Sequence, residues 1–104
     1  MTPVVVLTTV GAAFDVTALA RALVEQRLAA CVNIIPRVQS IYRWQGKIED
    51  DAEQLLLIKT VAERVDALQA ALLARHPYEV PEFVVIRMDE ARGAWREWLI
   101  DSVR

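Results

Sequence analysis

The chain has 104 residues, of which 55% are hydrophobic and 25% are charged, and its formal net charge is −2. This composition predicts one globular domain over residues 1 to 104, argues against a disordered polymer and, without a clustered basic face, predicts no binding to nucleic acid. A single cysteine excludes an internal disulfide, and the lack of a signal-peptide pattern or long apolar run predicts a cytoplasmic protein that does not span a membrane.

The first half of the chain begins with a strand followed by a helix. Residues 3 to 10 are mostly apolar and β-branched, which predicts a buried strand that ends at Gly11. From Val16 onward, apolar residues recur at i, i+3, i+4 and i+7. This spacing predicts an amphipathic helix with Asp15 as its N-cap, ending near Ala30.

Residues 31 to 60 predict a long β-hairpin. Two strand-like arms flank a turn at Gln45-Gly46. Pro36 predicts a bend or bulge in the first arm, and residues 50 to 52 predict another in the second. Each arm has about 14 residues, whereas a strand usually has roughly 5–6.

The length of this hairpin predicts an oligomer. A domain of this size cannot cover the outer halves of both arms, and apolar strands left uncovered pair with other chains. The sequence therefore predicts that the hairpin reaches a neighbouring subunit. The apolar side chains left exposed on one subunit would be Ile41, Tyr42, Trp44 and Ile48.

The second half of the chain predicts helix, strand and helix. Thr60 and Glu63 have the spacing of a capping box, so a helix is expected to start there. It must end before His76, because Pro77 disfavours helix at the preceding residue. An apolar strand over residues 82 to 88 follows.

A short C-terminal helix is predicted from the spacing of Trp95, Trp98 and Leu99. The complete order is β-α-β-β-α-β plus this terminal helix. That order is typical of an α+β, ferredoxin-like fold.

His76, the only histidine, has two interpretations. It is either a charged residue stabilised by the helix C-terminus, or a metal ligand or acid–base group aided by Glu79 or Glu82. One imidazole alone makes a poor site for a transition metal, which needs three or four donors. An oligomer could bring several copies together.

The other candidate residues favour structural roles. Cys31 lies among apolar residues and predicts a buried structural thiol. The acidic cluster over residues 49 to 53 is either a solvated strand face or a hard-cation site. Trp44, near the tip of the hairpin, is predicted to pack in an interface between subunits. Because no nucleophile–base pair and no phosphate loop occur, we predict that the protein is not an enzyme.

Four motifs resemble those of a known family. The segments "LAACVNIIP", "SIYRWQGKIE", "LLLIKT" and "HPYEVPE" occur in the order and spacing of the CutA family of divalent-cation tolerance proteins, and "WREWL" resembles that family's C-terminal helix. The resemblance covers nearly the whole chain. It implies a homotrimer of ferredoxin-like subunits, similar to the trimeric PII signalling proteins, whose hairpins extend sheets between neighbours.

The resemblance also implies clefts between subunits, with His76 near them. The cleft residues that it implies are Trp44, Lys47, Glu49, Lys59, Tyr78 and Glu82. The ligand implied is copper or another divalent metal, with no obligatory cofactor. Some copper-binding members have a cysteine where this chain has Thr8, and a histidine where it has Arg75. These departures predict weak copper binding, because a thiolate and an imidazole are missing.

Three functions therefore stay open. The first is a metal-tolerance protein that binds divalent metals weakly through His76 and nearby carboxylates. The second is a PII-like sensor that holds an anionic small molecule in the intersubunit clefts against Lys47, Lys59 and Arg75. The third is a trimeric scaffold for a partner protein.

Overall fold

The computed structural model describes all residues from Met1 to Arg104. The elements in chain order are β1 (Pro3–Gly11), α1 (Val16–Glu25), β2 (Cys31–Trp44), β3 (Lys47–Val61), a 3-10 turn (Ala62–Arg64), α2 (Val65–Arg75), β4 (Val84–Arg87) and α3 (Gly93–Ser102). None of the helices combines the length and the apolar character needed to cross a membrane.

The four strands form one antiparallel sheet in the order β2-β3-β1-β4. β1 and β3 are central, and they pair without interruption from Pro3↔Val61 to Gly11↔Glu53. The α+β, ferredoxin-like fold predicted from the element order is therefore confirmed. β2 and β4 are the free edges of the sheet.

The core lies on the sheet face that carries α1 and α2. Alternate residues of β1 are buried, as expected for a strand with one face packed, and Val6 and Val10 belong to the main cluster. Leu19 and Leu23 of α1 join them. α3 forms a second cluster with Val61 at the end of the sheet where β1 begins.

The first helix ends at Glu25, so the prediction that it continues to Ala30 was wrong. Arg27 takes a left-handed conformation with φ of 58°. The N–H of Leu28 then reaches back to the carbonyl of Leu23, and that of Arg27 to the carbonyl of Val24. This Schellman-type closure buries Leu28, which explains why the apolar periodicity outlasts the helix. The Asp15 N-cap is confirmed, because its carboxylate accepts from the Ala18 N–H.

The capping box predicted at Thr60 and Glu63 was also wrong. Thr60 lies in β3, where its hydroxyl donates to the carbonyl of Leu28. Glu63 accepts from the backbone N–H of Thr2 instead. Both side chains are thus bonded to other segments, and α2 begins at Val65 after the 3-10 turn with no side-chain cap.

The hairpin turns at the predicted residues. Gln45 and Gly46 both have positive φ, 49° and 79°, as a two-residue type I′ turn requires. The bulge predicted at Pro36 is confirmed, because Pro36 and Arg37 stand opposite Gln54 alone. The irregularity predicted at residues 50 to 52 was wrong. Residues 50 to 52 pair with β2 in regular register. All three have the backbone N–H that proline lacks, so none of them forces a break in the pairing.

The outer hairpin extends beyond the core. The subunit measures 45 × 26 × 22 Å, and Ile41 and Ile48 are 67% and 62% exposed. β4 is also exposed along its whole length. The exposed apolar hairpin predicted from arm length is therefore confirmed within the subunit.

A pair of adjacent leucines on α2 tests the core assignment. Leu72 is fully buried and Leu73 is 42% exposed. We expect Leu72→Ala to lower the free energy of unfolding by about 2–5 kcal/mol, because it leaves a cavity in the core. Leu73→Ala, the matched control, should change it by roughly 0.5 kcal/mol or less. Urea unfolding at one fixed protein concentration measures both, and equal losses would contradict this packing.

Candidate functional site

His76 is held at the end of α2 by three backbone groups. Its own N–H donates to the carbonyl of Leu72, which closes the helix before Pro77. Its Nδ1 accepts from the N–H of Tyr78 at 3.1 Å, so Nδ1 carries no proton. Nε2 therefore bears the proton of the neutral ring and donates to the carbonyl of Thr9 at 2.9 Å.

The environment of His76 favours the neutral imidazole. Burial lowers its pKa below the usual 6.5, and this desolvation outweighs the opposing effects of the Thr9 carbonyl and the Glu53 charge. The interpretation of His76 as a charged residue at the helix C-terminus is thus not favoured. The hydroxyl of Thr8 lies 3.3 Å from Nε2, so Thr8 and the only histidine are neighbours in space.

Tyr78 connects the loop after α2 to the base of the hairpin. Its hydroxyl donates to Glu53 Oε2 at 2.6 Å, and its ring meets that of His76 edge-on with centroids 4.9 Å apart. Glu53 is only 7% exposed. Desolvation, followed by this hydrogen bond, raises the pKa of Tyr78 well above its usual range. The phenol therefore keeps its proton and stays a donor to the carboxylate.

A second tyrosine–carboxylate pair lies further along the hairpin. Tyr42 donates to Asp51 Oδ2 at 2.6 Å. This hydrogen bond is the main reason that the pKa of Tyr42 rises to about 12. Both tyrosines thus share protons with carboxylates of β3, and such charge-assisted bonds are short and strong.

These groups surround a cleft of about 540 Å³ between the hairpin and the loop after α2. Three aromatic rings and three carboxylates line it: Tyr42, Trp44, Tyr78, Glu53, Glu79 and Glu82. Thr9, Ser40, Pro77 and Val80 complete the lining. No lysine or arginine lies on its walls, so the cleft is suited to positively charged ligands.

The cleft brings together only part of the predicted set. Trp44, Tyr78 and Glu82 line it, and His76 packs against Tyr78. Lys47 and Glu49 lie further out, at and near the hairpin turn.

Lys59 lies apart from this cleft within the subunit. It pairs with Val5 and Cys31, and its Nζ is 5.8 Å from the centre of the Trp95 ring. The assignment of these residues to a cleft between subunits stays a prediction. Cys31 itself is only partly buried, which corrects the expectation of a buried thiol.

Glu53 is the main site residue that the sequence did not single out. It appeared only as one member of the acidic cluster over residues 49 to 53. The alternation of strand side chains was the available signal, because Glu49, Asp51 and Glu53 share one face of β3. The register places Tyr42 opposite Glu49 on the partner strand.

Metal donors do not converge within one subunit. No group of three or more histidine, cysteine, aspartate or glutamate side chains is arranged to hold a metal ion. His76 could offer a nitrogen lone pair only by giving up one of its hydrogen bonds. A metal site built on this histidine would need donors from elsewhere in an assembly.

The comparison with protein families decides the classification. A family model described as "CutA1 divalent ion tolerance protein" matches residues 4–102. The chain belongs to the CutA1 family.

Individual relatives of this CutA1 protein support that classification. The divalent-cation tolerance protein CutA of Thermus thermophilus is 47% identical over 98 residues, which cover 94% of this chain and 95% of the relative. Protein CutA of Mus musculus is 47% identical over 81 residues, covering 78% of this chain but 46% of its own length. The chain thus spans nearly all of the bacterial relative and about half of the animal one. Plant relatives are named chloroplastic.

Solved CutA1 structures share the fold. The Thermus thermophilus protein superposes with a TM-score of 0.92 at 44% identity, covering 98% of this chain and 99% of the other. The Nostoc protein, described as a PII-like protein CutA, gives a TM-score of 0.88 at 32% identity, with 97% of both chains covered. The predicted likeness to CutA and PII-like folds is confirmed.

The Tyr78–Glu53 bond can be tested by removing one oxygen atom. We expect Tyr78→Phe to lower the free energy of unfolding by about 1–3 kcal/mol, because a buried carboxylate loses its donor. Tyr42→Phe is the matched control and should cost much less, since Asp51 stays hydrated. Urea unfolding at fixed protein concentration compares them, and an equal effect of both variants would contradict a special role for Tyr78.

The lowered pKa of His76 predicts a pH dependence. A histidine whose folded pKa lies below its unfolded value stabilises the fold fully above about 6.5, and this contribution falls as the pH drops toward the folded pKa. We therefore expect the urea midpoint of the wild type to fall between pH 7 and 5. His76→Gln should show a smaller fall over the same interval. A fall of the same size in the variant would show that other groups cause the dependence.

Proposed function

We propose that this CutA1 protein acts in divalent-cation tolerance as a homotrimer, with cation-binding clefts where its subunits meet. The observation that carries the proposal is the cleft itself, which has three carboxylates and no basic residue on its walls. It adjoins the part of the hairpin that one subunit leaves uncovered.

The exposed strands support an assembly of several copies. Ile41 and Ile48 leave apolar surface on the hairpin, and Val84, Val85 and Ile86 do the same on β4 at the opposite edge of the sheet. Because two different edges of one subunit expose apolar surface, a head-to-tail contact can form between copies. Such contacts give a closed ring when the rotation between neighbouring subunits is a whole fraction of a turn. The number three comes from the resemblance to the family.

The charge of the cleft favours a cation over an anion. Glu53, Glu79 and Glu82 line it, whereas the basic residues named for an anionic ligand lie elsewhere in the subunit. Lys59 is directed to Trp95, and Lys47 is at the hairpin turn. A metabolite sensor for anions is therefore the weaker alternative, and a trimeric scaffold has no specific support in the subunit.

Binding of copper or another divalent metal through His76 is expected to be weak. Both ring nitrogens already form hydrogen bonds, and Thr8 supplies a hydroxyl where a thiolate would bind copper better. The cleft carboxylates, or groups of a neighbouring subunit, would have to complete the donor set. The metal is a ligand in this proposal and not an obligatory cofactor.

Two further expectations belong to the proposal. The description of the family concerns cation tolerance, so no catalytic role is assigned. A cytoplasmic location stays a prediction from the sequence.

Native mass spectrometry with Cu(II) tests assembly and metal binding together. We expect a trimer that takes up copper weakly, with uptake lost in His76→Ala. Thr8→Cys should raise copper affinity by about tenfold or more, because the new sulfur would lie beside the imidazole. Thr8→Val, which fills the same space without a donor, is the matched control.

Each result has a separate meaning. A monomer would contradict the assembly. Copper uptake that is unchanged in His76→Ala would place the metal elsewhere. Failure of Thr8→Cys to bind more tightly than Thr8→Val would show that the two side chains cannot act on one ion.

A further inference from the structure

We propose that the cleft beside Tyr78 binds an organic ammonium ion, an alkylamine or a polyamine, in addition to any inorganic cation. The inference rests on the proposed function in one respect, namely that the cleft accepts cations. It goes further by naming the chemical class that the walls of the cleft fit best.

The size of the cleft suits a molecule better than a single ion. Its volume of about 540 Å³ lies within the range of small-molecule pockets, roughly 300–1,000 Å³. A metal ion needs donors that converge on one point, and no three such side chains do so within the subunit. Carboxylates that are spread along a cleft can instead contact separate amino groups of one extended ligand.

The aromatic walls supply the second feature that an ammonium ion needs. Tyr42, Trp44 and Tyr78 line the same cleft, and the faces of such rings attract cations. Both tyrosines donate their hydroxyl protons to carboxylates at 2.6 Å. A phenol that shares its proton in this way has a more electron-rich ring, which strengthens the attraction. Alkyl arms of the ligand would pack on Pro77 and Val80.

Glu53 provides an independent observation at the base of the cleft. It is more than nine-tenths buried, and its Oε2 accepts from Tyr78. Its Oε1 receives no hydrogen bond from the protein, and no lysine or arginine pairs with the carboxylate. Because no buried side-chain oxygen lacks a partner, Oε1 stays accessible to solvent, and a ligand in the cleft can reach it. An ammonium group in the cleft would supply both a donor and the missing positive charge.

The outer carboxylates lie on a stiffened loop. Glu79 and Glu82 flank Pro81, and Pro77 begins the same segment. Two prolines reduce the freedom that the loop loses when a ligand binds, so less of the binding energy is spent on ordering it. Carboxylates on both β3 and this loop favour a ligand with more than one amino group.

Isothermal titration calorimetry of the metal-free protein with spermidine tests the inference. Putrescine and tetramethylammonium serve as further probes, and 1,4-butanediol is the uncharged match of putrescine. We expect saturable binding of spermidine, weaker binding of putrescine and no binding of the diol. Tetramethylammonium reports whether the aromatic rings alone suffice.

Matched variants locate the site. Glu82→Gln should weaken spermidine binding by about threefold to tenfold, whereas Glu97→Gln, on the exposed surface of α3, should leave it unchanged. Trp44→Leu should weaken spermidine binding at least as much as Glu82→Gln does. Trp44→Phe should keep most of the spermidine affinity, because it keeps an aromatic ring. Native mass spectrometry of each variant checks that the assembly state is preserved.

The results that overturn the inference are distinct. Absence of saturable spermidine binding would overturn it, as would equal binding of putrescine and the diol. Equal losses in Glu82→Gln and Glu97→Gln would show that only overall charge matters. If Trp44→Leu disrupts the assembly, Glu82→Gln and Trp44→Phe still decide the question.

The inference and the proposed function fail separately. Copper uptake through His76 with no spermidine binding would leave the metal role intact and overturn the ammonium site. Spermidine binding without copper uptake would support the ammonium site and contradict the metal role of His76. Failure of both would remove the cleft as a cation site altogether.

Discussion

The antiparallel pairing of β1 with β3 is the constraint on which the rest of the structure depends. It runs without a break from Pro3↔Val61 to Gly11↔Glu53. At its first end, Val61 meets the apolar side chains of α3. At its other end, Glu53 is brought beside the loop after α2, where Tyr78 can reach it. One run of backbone pairing thus positions the C-terminal helix and the cleft at opposite ends of the sheet.

Burial and hydrogen bonding determine which side chains in and beside the cleft carry a proton. Burial keeps the imidazole of His76 neutral, and its ring is used to hold the loop against β1. The hydrogen bond to Asp51 keeps Tyr42 protonated by raising its pKa, and desolvation followed by the bond to Glu53 raises the pKa of Tyr78. The carboxylates are left as the charged groups of the cleft. The cation site proposed for this cleft has no strong soft ligand, which sets it apart from a dedicated copper site.

The sequence predicted those features that local chemistry determines. Pro77 marked the end of α2, and Gly46, which tolerates positive φ, marked the hairpin turn at Gln45-Gly46. It failed where distant groups compete for a side chain or a backbone turn. The Thr60 hydroxyl does not cap α2, because it donates to the carbonyl of Leu28 in another segment. The left-handed conformation of Arg27 ends α1 before the apolar periodicity ends. The burial of Glu53 depends on a tyrosine 25 positions away, which no local pattern reveals.

The bulge opposite Gln54 has a consequence for how the cleft could change over evolution. It adds one residue to β2 and so reverses which side chains of that strand face each side of the sheet. Val32 and Ile34 therefore pack toward the core, whereas Tyr42 and Trp44, at the same alternation in the sequence, lie on the other face. Because the two-residue turn and the pairing with β3 hold Tyr42 opposite Glu49, loss of one bulge residue would leave every other pair in register. Such a deletion would change the bend of the hairpin, and with it the width of the cleft, while the same side chains would still line it.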